Sequence, residues 1–140
     1  MKNLSQFIGV SYRRSQKFYM EHLKNLGVSS GQYMYLIAIC EDAGKTQEEL
    51  SQQMLIDKGT TANVLSQLED NGFLTKSINS NDRREYKIFP TDKAVAVYPE
   101  IVKIREAWHR KLTENFSEIE RDIFEKLLEK TMINAVKNCE

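Results

Sequence analysis

Apolar residues recur at mixed steps of three and four over residues 4–26. There Leu4, Phe7, Ile8, Tyr12, Phe18, Tyr19, Leu23 and Leu26 form a wide stripe. That period predicts an amphipathic helix, and Gly27 supplies its C-terminal stop. Ser29, followed three residues later by Gln32, reads as a capping box for a second helix. The run YMYLIAIC from Tyr33 to Cys40 is apolar nearly all round, so this helix is expected at the buried centre of the fold. Asp42, Ala43 and Gly44 end it.

Thr46 and Glu49 form another capping box, opening a short helix with Leu50 and Met54 facing inward. Asp57 then caps a longer helix whose inner stripe is Val64, Leu65 and Leu68, and Asn71-Gly72 stops it. Two helices in such close succession, the first short and the second polar outside, have helix-turn-helix spacing. The period then changes. Residues 73–78 and 85–89 read as short strands, with turn chemistry at Asn79, Ser80, Asn81 and Asp82 between them. A hairpin directly after a helix-turn-helix is a wing.

Past Thr91-Asp92 a long helical stretch runs to about residue 115, with Pro99 kinking it or sitting in its early turns. Ser117 and Glu120 box the start of a last helix, which carries Ile119, Ile123, Phe124, Leu127, Leu128, Ile133 and Val136 on one face. The expected class is mainly α with a small β-hairpin wing, in the order α-α-α-α-β-β-α-α.

Composition narrows the function. At 140 residues and 41% hydrophobic content the chain suits one unit with a real core. Lys plus Arg balance Asp plus Glu at 20 each. That disfavours non-specific coating of nucleic acid, which needs a basic surface, but leaves a locally basic face open. Cys40 and Cys139 are too few and too far apart for a disulfide framework. With no signal-like or membrane-spanning run, a soluble cytoplasmic protein is expected. His22 and His109 lack metal-ligand spacing, so no metal and no cofactor are expected. Without a nucleophile–base pair, spaced carboxylates or a phosphate-cradling glycine loop, an enzyme is not expected.

The stretch QEELSQQMLIDKGTTANVLSQLEDNGFLTKSINSNDRREYKIFPTDK resembles the DNA-binding core of the MarR family of bacterial transcription regulators. Three pieces carry the resemblance: LIDKGTTANVLSQLEDNGFL, the wing DRR at residues 82–84, and PTDK at the start of the fifth helix. It implies a homodimer with interlocked terminal helices. Residues 30–91 would form the winged helix-turn-helix lobe, and residues 1–29 and 92–140 the dimerisation region. Two-fold symmetry would set the recognition helices roughly 34–36 Å apart and call for a palindromic operator in double-stranded DNA. Repression, with release by a small aromatic or anionic effector, is the implied mode. The chain departs from the family at Asn63, where a basic residue is frequent, and at Pro90 and Ala94, where Leu and Gly are usual. Asn63 can instead make a bidentate contact to adenine.

On the recognition helix Lys58, Thr60, Thr61, Asn63 and Gln67 are read as outward side chains. Lys58 and the helix N-terminus would favour phosphate, and the short Thr and Asn side chains would favour base edges. The plain alternative is a solvated face with Thr60 half-buried. At the hairpin Arg84 suits a narrow minor groove, and the resemblance implies that Asp82 holds it; Arg83 and Lys87 would touch phosphate. The alternative there is an exposed charged turn. Tyr12, Arg13, Lys17, His22, Tyr33 and Tyr35 could line an effector cleft. Cys40 lies in the most apolar stretch, where a thiol packs as a small hydrophobe with a raised pKa. A thiol redox sensor is therefore the lesser alternative, beside a winged-helix protein-interaction module with little DNA affinity.

Overall fold

The computed structural model describes residues 1–78, 81–82 and 84–139. Helix α1 (Leu4–Leu23) tightens into a 3₁₀ turn over Lys24–Leu26 before Gly27, at φ 72°, turns the chain. Helix α2 (Tyr33–Glu41) begins four residues after Ser29, because only half of the expected capping box forms. The Ser29 N–H donates to Gln32 Oε1 at 3.0 Å, but no side chain caps α2; residues 29–32 make a turn instead. As its composition predicts, α2 is central: Tyr35, Leu36, Ile37, Ala38 and Ile39 are all buried.

Strand β1 (Lys45–Thr46), only two residues long, has no counterpart in the periodicity. It precedes α3 (Gln47–Met54), which carries the expected capping box: the Glu49 N–H donates to Thr46 Oγ1 and the Thr46 N–H to Glu49 Oε1. Helix α4 (Lys58–Asp70) starts on Asp57 and stops at Gly72, whose φ of 80° a residue with a Cβ adopts at a cost. There Phe73 N–H donates to Leu68 O and Gly72 N–H to Glu69 O, the paired bonds of a Schellman stop. The pattern also brings Phe73 and Leu68, both fully buried, into the core.

Strands β2 (Leu74–Ile78) and β3 (Tyr86–Pro90) form the wing, each within a residue of the expected bounds. The sheet is antiparallel in the order β1-β3-β2, with Lys76 opposite Ile88 and Thr46 opposite Lys87. Asn79, Ser80 and Arg83 lie outside the described residues. Helix α5 (Asp92–Leu112) starts where Thr91 Oγ1 accepts from the Ala94 N–H, and Pro99 lies within it. Helix α6 (Glu118–Asn138) opens on the complete Ser117–Glu120 box.

The chain forms two compact units, residues 1–106 and 107–140. The first has a dense core of Leu23, Tyr35, Leu36, Ile39, Leu50, Leu65, Leu68, Phe73, Leu74, Ile88, Ala94 and Ile101. Burying an aliphatic or aromatic side chain of this size contributes about 1.5–3 kcal/mol, which makes this core the main stabiliser of the lobe. In the second unit α6 has no buried residue, and its apolar side chains are all open to solvent. Among the described residues no helix is long and apolar enough to cross a membrane.

Candidate nucleic-acid interface

Helix α4 owes its position to its two ends. At the start, Asp57 accepts two hydrogen bonds from one residue: Thr60 N–H to Oδ1 at 2.7 Å and Thr60 Oγ1–H to Oδ2 at 2.9 Å. These bonds hold the Asp57 carboxyl below its usual pKa, so it stays ionised beside the positive end of the helix. They also commit the only hydroxyl proton of Thr60, whose lone pairs are left to accept. At the far end Thr91 Oγ1 donates to Gly72 O at 2.6 Å and Lys93 Nζ to Asn71 O at 2.6 Å. The TDK segment at the head of α5 therefore clasps the C-cap carbonyl of α4 and the one that follows it.

Five side chains of this helix were expected to face outward. Lys58, Thr60, Asn63 and Gln67 are exposed. Thr61 is not: its relative exposure is 0%, and its hydroxyl is paired with Tyr35 at 2.9 Å. The correction has a plain geometric cause. Positions 61, 65 and 68 follow steps of four and three, so Thr61 continues the stripe of Leu65 and Leu68 into the core. Thr60 is open to solvent and not half-buried. Lys58 also pairs with Glu48 of α3 at 3.5 Å, an exposed bridge of little energetic weight.

The turn joining α3 to α4 contains a feature that periodicity does not reveal. Leu55 occupies the left-handed region at φ 56°, exposed, and the next carbonyl, Ile56 O, accepts from the Ser51 hydroxyl at 2.5 Å. A non-glycine residue there costs about 1–2 kcal/mol, which the tethered turn must offset.

In the wing, Asp82 folds back on Arg84. Its Oδ1 accepts from the Arg84 N–H at 3.0 Å and lies 3.8 Å from the guanidinium Nε. The Arg84 side chain is 96% exposed, so the carboxylate orients a cation that is largely open to solvent. Lys87 is half-buried on β3. Arg83 lies outside the described residues. A cleft of about 230 Å³ separates the wing from the first turn of α3, lined by Glu48, Lys76, Arg84 and Tyr86 among others.

The residues read as an effector cleft divide. Tyr33 stacks on Tyr19 of α1, with centroids 4.1 Å apart. Burial raises the pKa of both hydroxyls, while the nearby Arg105 guanidinium pulls both the other way. Tyr12 lies close enough to add to the rise at Tyr33. Arg105, half-buried and absent from the sequence-based set, is thus the cation of this cluster. Arg13 and Lys17 are exposed on α1, and His22 is exposed and stacks on Phe18 at 3.9 Å. Tyr35 does not belong to the cluster: at 1% exposure it is core, bonded to Thr61, and lines no surface cleft. The thiol of Cys40 is half-buried and its pKa is pushed up, by burial first and then by Glu41. A thiolate, the reactive form, is therefore disfavoured there.

The chain matches the family model described as MarR over residues 28–86. Over its whole length it is 29% identical to the HTH-type transcriptional regulator YybA of Bacillus subtilis, spanning 93% of that protein. It is 32% identical over 125 residues to the HTH-type transcriptional regulator BilQ of Clostridioides difficile, with 85% of this chain and 84% of that one aligned. Among solved structures it resembles a MarR family transcriptional regulator from Listeria monocytogenes complexed with a 26mer DNA. The TM-score is 0.92 at 31% identity, covering 99% of this chain and 92% of that one.

Proposed function

This chain belongs to the MarR family of DNA-binding transcriptional regulators, and on that premise we propose that it is a homodimeric repressor of a palindromic operator. One observation carries the reading. The exposed face of α4, with Lys58, Thr60, Asn63 and Gln67, shares a lobe with a wing whose Arg84 is presented by Asp82. In this reading the first half of α4 enters the major groove and Arg84 the adjacent minor groove, with Lys87 and Arg83 on phosphate. Thr60, its proton held by Asp57, would accept from an adenine or cytosine amino group. Asn63 would read adenine.

Dimerisation is supported by the surface. Helix α6 exposes Ile119, Ile123, Phe124, Leu127, Leu128, Met132, Ile133 and Val136. Helix α1 separately exposes Leu4, Phe7, Ile8 and Tyr12. Apolar faces of this extent are rare on soluble monomers, and a second copy would remove them from water. The Tyr12, Tyr19, Tyr33 and Arg105 cluster supports a further part of the reading. An aromatic or anionic effector would bind there, beside Arg13, Lys17 and His22, and release the DNA.

The test is a fluorescence-anisotropy titration against fragments recovered by selection from genomic DNA, at low and moderate salt, with and without aromatic carboxylates. Tight binding to a two-fold symmetric site is expected, weakened by salt and by the effector. Absence of binding even at low salt, where electrostatic affinity is greatest, would overturn the reading.

A further inference from the structure

Two polar bridges join α4 to α2. One is the buried pair of Tyr35 OH and Thr61 Oγ1 at 2.9 Å. The other is Gln32 Nε2, donating to Gln67 Oε1 at 3.2 Å. The orientation of the Gln32 amide is set independently, because its Oε1 accepts from the Ser29 N–H at 3.0 Å; its NH₂ therefore points to α4. The two anchor points on α4 are about 9 Å apart along its axis, at 1.5 Å per residue.

Between the anchors and just past the second, α4 packs through Leu65 and Leu68, both fully buried. Apolar contact is non-directional and tolerates small rolls of a helix about its axis. A roll of about 15° moves a side-chain tip at 5–6 Å radius by roughly 1.4 Å. That is enough to break a base contact, since donor and acceptor must sit within a few tenths of an ångström. Two hydrogen bonds at separate points along the helix forbid both roll and slide.

Stability does not require the buried pair. Phe and Val in its place would keep the shape and remove two polar groups from the core, an exchange that is close to neutral for folding. A satisfied buried polar pair does contribute a single geometry. We infer that Tyr35 and Gln32 are positioning residues, which fix the roll of α4 so that Thr60 and Asn63 meet the base edges in register. The inference rests on the operator-reading role proposed above.

The experiment compares the parent with Tyr35→Phe combined with Thr61→Val, with Thr61→Ser, and with Gln32→Met. Each protein is titrated with the selected operator and with an unrelated duplex across a salt series, and its thermal midpoint is recorded. The combined variant should melt near the parent and bind the unrelated duplex with the same affinity and salt slope. Its operator affinity should fall about fivefold or more, the scale of one hydrogen bond. Thr61→Ser, which keeps the hydroxyl, should discriminate as the parent does. Gln32→Met, a replacement of similar volume at the other anchor, should repeat the loss, and decides alone if the combined variant does not fold. An operator preference equal to the parent's in Gln32→Met and in the folded combined variant overturns the inference. So does an equal fall on both duplexes. A parent that prefers no duplex overturns the operator reading itself, and this inference with it.

Discussion

Lys93, in the first turn of α5, donates to the carbonyl of Asn71 at 2.6 Å while its ammonium lies 4.4 Å above the ring of Phe73. One side chain thus closes the end of α4 and covers the first core residue beyond it. Lys93→Ala should cost about 1 kcal/mol, a charged hydrogen bond and a cation–π contact both discounted for solvent exposure. Urea unfolding monitors this; a midpoint identical to the parent's would show that the clasp adds nothing.

Arg84 meets solvent over nearly all its surface, so its replacement should leave fold and assembly intact. Arg84→Ala should weaken operator binding by about 1–3 kcal/mol if the guanidinium reads a groove. Asp82→Ala should produce a smaller loss, by freeing the arginine to wander. Equal affinities for parent and Arg84→Ala at matched salt would remove the wing from the interface.

Asn63 has an exposed amide on the outer face of α4. Asn63→Ala should change preference at one base pair of each half-site by about 1–3 kcal/mol, the scale of a bidentate contact. Sequencing of selected fragments checks this, and an unaltered preference excludes Asn63 as a reader.

The Asp57 carboxyl has a pKa lowered by the Thr60 bonds, so its ionised form favours the folded state. That contribution is complete above the ordinary aspartate value and disappears as pH falls through the lower folded value. Asp57→Asn keeps the cap geometry without titrating. The melting temperatures of parent and Asp57→Asn should differ most near neutrality and converge in acid. A gap that stays constant across the range would contradict this assignment.

Ile123 and Leu127 lie one helical turn apart on α6, at 51% and 55% exposure. Replacing both by Glu should yield monomeric or unfolded protein, because two charges cannot be covered by an apolar partner. A sedimentation profile matching the parent's would place the dimer interface elsewhere.

Much of the fold is legible in the chain because its punctuation is strong. Thr46–Glu49, Asp57 and Ser117–Glu120 start helices where the capping pattern expects them, and Asn71-Gly72 stops one. Strand β1 is invisible because two residues carry no alternation; only the opposite strand, through Lys87 and Ile88, defines it. Thr61 reads outward by its polarity and inward by its register with Leu65 and Leu68, and the register prevails. Tyr35 is ambiguous for a related reason, since an aromatic hydroxyl suits a cleft wall and a buried bond equally well, and here it makes the buried bond. Arg105 lies far along the chain from Tyr19 and Tyr33, and only tertiary packing brings it near them.

Thr46 belongs to two elements at once. It pairs with Lys87 in the sheet, and its side chain is the first anchor of α3. Strand β3 and the head of that helix are consequently welded through a single residue. A tilt of the strands would drag α3 with them, like an oar pivoting in its lock. Adaptation of the wing to a bent or narrowed duplex is thereby restricted to its tip, beyond the Ser77–Lys87 rung.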